Sequence, residues 1–133
     1  MQTGSSVTLS LVSAPVRRFP LAHTSYVAPL EQVLTGATGA LGAHLLNQFL
    51  ANPTVSSVYC LCRAETEKHA RERVNTSLTL RGLGPLDERV GGARVICLPS
   101  SLDSRYLGLG EMQYQEIRDK ASIIVDNAWA VNL

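Results

Sequence analysis

Three glycines, Gly36, Gly39 and Gly42, recur at intervals of three within residues 33–46. Two apolar residues and Thr35 lead into them, and a helix-forming run at 43–50 follows at once. Strand, glycine turn and helix in that order can hold a pyrophosphate, which an ordinary Gly-rich turn without those flanks does not imply. Gly36 would turn the backbone sharply off the strand. Gly39 would let main-chain N–H groups reach a phosphate with no side chain in the way. Gly42 would let the helix pack close on the strand. The helix start at Ala40 and Leu41 would then offer unpaired N–H groups and the positive end of the helix dipole. Thr35 and Thr38 complete the candidate set on this loop.

The next apolar strand ends at Arg63. NAD sites usually place an Asp or Glu there, where it holds the ribose 2′-OH. A guanidinium at that point instead suits the 2′-phosphate of NADP, which it grips as a planar fork. The alternative is a solvated surface arginine. Glu65 is close enough to weaken the NADP argument but lies past the strand end.

Other reactive side chains carry less. The three cysteines are an odd number. Cys60 and Cys62 alternate in one apparent strand and Cys97 sits in another, as buried thiols in a reducing cytosol would; a metal site needs more ligands at metal-like spacing. His44 and His69 fall on separate helices, with no carboxylate or nucleophile in evident sequence reach.

These residues need a sheet to hold them. At 133 residues the chain can form one small domain. With 45% hydrophobic and 17% charged residues and a net charge of +1, nothing in the balance suggests nucleic acid or an anionic membrane as the main partner. No apolar run approaches the ~20 residues that span a bilayer. Residues 1–30 are rich in Ser, Thr and Pro and lack Asp and Glu. They read as a flexible leader or linker, or as a transit peptide, with an alternating block at 7–12 that could form a stray strand. From 31 to 133 the pattern predicts strands at 32–35, 57–62, 93–98 and 122–125. Helices are predicted at 40–51, at 65–80 and at 111–120, the last with Met112 and Ile117 inward. Alternation at this rhythm implies a parallel sheet in the order third-second-first-fourth.

The form Thr35-Gly36-x-Thr38-Gly39-x-Leu41-Gly42 resembles the extended short-chain dehydrogenase/reductase superfamily. Further blocks tighten the likeness: residues 58–64, then Ala70 and Arg73, then Leu107-Gly108-Leu109, then residues 127–132. Their order is similar to that in thioester reductase domains, which terminate fungal adenylate-forming reductases and some non-ribosomal peptide synthetases. The likeness covers about residues 32–133. It implies an α/β fold, a Rossmann-like parallel sheet with helices on both faces, incomplete at four strands. It also implies NADP(H) as cofactor, and adds Arg73, Asn127 and Ala128 to the cofactor-binding set.

The resemblance has departures. Related reductases carry Gly-Asp-Leu after the third strand, with the Asp facing adenine; this chain has Ser100-Ser101-Leu102, and Asp103 comes two positions late. They usually have His before Asn127; this chain has Asp126, which would repel a pyrophosphate modestly. The superfamily reduces carbonyls with a Tyr-x-x-x-Lys pair. Here Tyr26, Tyr59, Tyr106 and Tyr114 are followed at that spacing by Leu30, Arg63, Gly110 and Arg118. Tyr114 with Arg118 is a lookalike on a helix, not the pair.

An intact relative would use NADPH to release an acyl chain from a phosphopantetheine carrier domain as aldehyde or alcohol, in the cytoplasm. The rival expectations are a non-catalytic nucleotide-binding module and a truncated fragment without function. On every one of these readings, the chain alone is expected to be catalytically silent and poorly stable, with its fourth strand a bare, aggregation-prone edge.

Overall fold

The computed structural model describes residues 29–127 and the backbone of 8–11. Ala128, together with Trp129, Val131 and Leu133, lies outside the described residues, as does the rest of 1–28. The strands are β1 (Thr8–Leu11), β2 (Leu30–Thr35), β3 (Val55–Cys62), β4 (Val95–Pro99) and β5 (Ile123–Asp126). The helices are α1 (Ala40–Ala51), α2 (Glu67–Leu80) and α3 (Glu111–Lys120).

Four strands run parallel in the order β4-β3-β2-β5, as the alternation predicts. The arrangement is Rossmann-like. Two successive crossovers step the sheet outward from β2 to β4, and the chain then returns to the other side of β2 as β5. At such a reversal the carboxyl ends of the strands open a crevice.

The alternating block near residue 10 is a strand of this sheet. β1 runs antiparallel on the outer side of β5, with Thr8 opposite Asp126 and Leu11 opposite Ile123. The edge expected to be bare is therefore paired. Local pattern can show that a segment is able to extend, but not which edge takes it.

Each face of the sheet has its own core. Leu34, Val58, Cys60 and Val125 pack against Ala43, Leu46 and Leu50 of α1 and Val74 and Leu78 of α2. On the other face Val33, Tyr59, Leu61 and Leu98 meet Ile117 of α3 and Ala121. Met112 is not inward: it is 87% exposed. It precedes Ile117 by five positions, about 140° around the helix, so one apolar stripe cannot hold both.

Element ends shift for local reasons. The Thr66 hydroxyl accepts from the His69 N–H at 3.0 Å and caps α2, which starts at Glu67 rather than at 65. β4 starts at Val95 because Gly92–Arg94 forms a 3-10 turn. β3 starts at Val55, whose side chain is buried.

Candidate nucleotide-binding site

The glycine loop joins β2 to α1. Gly36 has φ +77°, a left-handed backbone that glycine adopts at little cost. The Gly39 N–H donates to the Gly36 carbonyl at 3.1 Å. A Cβ on Gly42 would stand 1.9 Å from that carbonyl oxygen, so no side chain fits where the helix crosses the strand. A Cβ on Gly39 would meet only the Gly36 oxygen, at an ordinary 3.6 Å. The protein's own packing does not require a glycine there; the bare position keeps the space above the loop open.

The start of α1 has no side-chain cap and no acid in its first turn. By contrast α2 has Thr66 and Glu67, and α3 has Glu111. The first amides of α1, near exposed Ala40 and Leu41, thus keep their capacity for an anion.

Beneath the loop a polar corner ties β2 to β5. The Thr35 hydroxyl donates to Asp126 Oδ1 at 2.7 Å and accepts the Asn127 N–H at 2.9 Å. Asn127 Nδ2 donates to the Gly36 carbonyl at 3.3 Å. Thr35 and Asn127 therefore brace the loop from below. The Asp126 carboxylate is turned to Thr35, which ties down the charge expected to repel a pyrophosphate.

A cleft of about 470 Å³ opens at the carboxyl ends of β2, β3 and β4. Gly36 and Thr38 line one side, Leu61, Cys62 and Arg63 the end of β3, and Arg73 reaches in from α2. Of the cofactor-binding residues named from sequence, these two loop residues and two arginines meet in the cleft; Gly39, Ala40 and Leu41 are exposed and do not line it. Arg63 is exposed, while Arg73 is half-buried and donates through Nη1 to the Arg63 carbonyl. Arg73 thus props the backbone that presents Arg63.

The fourth wall is Ser100-Ser101-Leu102-Asp103, which sequence reasoning had marked only as a departure. The Ser100 N–H donates to the Cys62 carbonyl at 2.7 Å, stitching this wall to the last residue of β3. The Ser101 hydroxyl donates to Asp103 Oδ1 at 2.7 Å. That bond, a backbone hydrogen bond and the positive charge of Arg63 hold the Asp103 carboxyl below the usual carboxylate range. The Cys62 thiol, buried, is pushed up to about 12 and is inert as a nucleophile. The signal that could have found this wall is its place just past a parallel strand's carboxyl end.

Behind the wall, Tyr106 and Leu107 take positive φ of 53° and 56°, a strain of about 1–2 kcal/mol each. Leu107 and Leu109 pack on the second core, and the Leu107 carbonyl accepts the Ser101 N–H at 2.9 Å. The Leu107-Gly108-Leu109 block is thus a strained turn that backs the cleft wall. The Tyr114 ring packs on Tyr106 with centroids 5.5 Å apart, and Arg118 lies 3.5 Å from Asp119; neither lines the cleft. His44 is exposed, and His69 sits in the cap of α2. Cys60, Cys62 and Cys97 are free and buried. Among the described residues no helix is long and apolar enough to cross a membrane.

The sequence model of the family described as Male sterility protein matches residues 34–133. An iterative polyketide synthase of Emericella nidulans is 32% identical over 120 residues, which are 90% of this chain and 4% of that protein. An adenylate-forming reductase of Heterobasidion annosum is 32% identical over 101 residues, 75% of this chain and 9% of that protein. The crystal structure of the terminal R domain from the myxalamid PKS-NRPS biosynthetic pathway superposes with a TM-score of 0.70 at 29% identity, covering 80% of this chain and 26% of that one. The PhqB reductase domain from Penicillium fellutanum gives 0.58 at 31% identity, covering 67% of this chain and 24% of that domain. The chain therefore spans a small fraction of these curated relatives and about a quarter of each of these two solved structures.

Proposed function

This chain belongs to the Male sterility protein family, and from that membership we propose that it is the NADP(H)-binding portion of a thioester reductase-like oxidoreductase. The whole enzyme would reductively release an acyl chain from a phosphopantetheine carrier domain as aldehyde or alcohol. The observation that carries the reading is one cleft with Gly36 and Thr38, of the loop that leads into the uncapped start of α1, on one side and Arg63 on the other.

The residues present fit a dinucleotide. Gly39 leaves room that a larger side chain would fill. The amides at the start of α1 would hold the pyrophosphate, and Thr38 stands beside them in the cleft. Arg63 would hold the ribose 2′-phosphate, with Arg73 as its prop. When bound, NADPH supplies a hydride. These 133 residues contain no Tyr-x-x-x-Lys pair to protonate a substrate oxygen.

A charge-assisted contact of about 1.5–3 kcal/mol gives roughly a ten- to hundredfold preference for NADP(H). Calorimetric titration of NADPH and NADH against the wild type and Arg63→Ala tests this. The wild type is expected to prefer NADPH and the variant to lose most of that preference. Equal wild-type affinities would remove the NADP assignment.

A further inference from the structure

We infer that Asp103 is a specificity-determining residue that shares the cleft with Arg63 and opposes it, disfavouring a 2′-phosphate and accepting from a bare ribose hydroxyl. The inference rests on reading the cleft as the nucleotide site and deepens that reading.

Asp103 is fully open to solvent, but its position is held. Ser100 is stitched to the Cys62 carbonyl, one residue before Arg63. Ser101 is anchored by its N–H on the Leu107 carbonyl. The turn behind is tight: a Cβ on Gly108 would lie 2.9 Å from the Ser101 nitrogen. From that fixed point the Ser101 hydroxyl holds one carboxylate oxygen of Asp103 at 2.7 Å. Both Asp103 and Arg63 line the cleft, and the positive charge of Arg63 acts on the carboxyl.

The chemistry of the two candidate ligands differs at one group. A ribose 2′-OH can donate to a carboxylate, which retains lone pairs beyond the one that Ser101 uses. A 2′-phosphate carries about −1.5 to −2 charges near neutral pH and is repelled. Arg63 acts with the opposite sign on the same group. The preference for NADP(H) is then the difference of two selectors, and the wild type falls at the lower end of the range that Arg63 alone would set.

The test uses half-nucleotides, which isolate the 2′ position. 2′,5′-ADP and 5′-AMP are titrated calorimetrically against the full 133-residue chain and against Asp103→Asn, Asp103→Glu and Ser101→Ala. The Asn variant is expected to raise the affinity ratio of 2′,5′-ADP to 5′-AMP by roughly two- to fivefold, the range of exposed charge pairs. The gain should shrink at high salt. The Glu variant keeps the charge and should stay near the wild-type ratio; the Ser101 variant, which releases the carboxylate, should move part of the way toward Asn. An unchanged ratio in the Asn variant, with both ligands binding the wild type, overturns the role of Asp103 and leaves the nucleotide reading standing. Failure of both ligands to bind a folded wild type overturns that reading, and this inference with it.

Discussion

Gly39 and Gly42 belong to one motif but answer to different constraints. At Gly42 the constraint is internal. An added methyl group would meet the Gly36 oxygen at 1.9 Å and the Ala37 Cα at 2.9 Å, both backbone. Gly42→Ala should therefore cost stability outright, about 1–3 kcal/mol or more. At Gly39 the constraint is external. Gly39→Val should cost the unliganded protein at most about 1 kcal/mol, mainly as a poorer helix cap, yet abolish the melting shift on adding NADPH. Thermal melts of both variants with and without nucleotide separate the two cases. A wild-type shift in Gly39→Val would mean that no phosphate sits on this turn.

At the scale of elements, β1 decides how the sheet ends. It pairs the outer row of β5, whose Ile123-Ile124-Val125 run would otherwise template association. The opposite edge, β4, is short, and Arg71 donates to its Val95 carbonyl at 3.2 Å, placing a charge on that edge. Removing residues 1–11 should therefore lower the melting temperature and produce larger species in light scattering. A truncated chain that stays as monodisperse as the full one would show that β1 does not protect this edge. The expectation of poor stability rested on an unpaired β5, and the pairing with β1 removes that part of its basis.

Over the described residues, two cores of unequal size share one sheet, and the interior strand β3 contributes to both. Two of its ionisable groups are held neutral. Burial, and then the hydrogen bond to Glu31 at 3.0 Å, push the Tyr59 phenol up to about 12; burial pushes the Cys62 thiol to about 12 as well. In the unfolded chain these groups ionise near 10.0 and 9.0. The raised values stabilise the fold fully below about pH 9, and that contribution is lost as pH rises toward 12. Denaturant melts at pH 8 and pH 10.5 should show lower stability at the higher pH, with a smaller drop in Tyr59→Phe. Equal stability at the two pH values would mean that these side chains are open to water in the folded state.

The glycine spacing, the apolar strand runs and Arg63 at a strand end were enough to place the sheet order and two sides of the cleft. Those features are local, since a helix or a buried strand writes its period into neighbouring residues. The tertiary structure decided what depends on distant partners. Thr35 and Asn127, 92 positions apart, meet as a brace only because β5 returns beside β2. Arg73 props Arg63 only because α2 lies back across β3. Asp103 enters the cleft through a turn whose left-handed Tyr106 and Leu107 have no signature in residue type. The pairing of β1 with β5 was undecidable from pattern alone, because a strand edge accepts backbone, and backbone is the same at every residue.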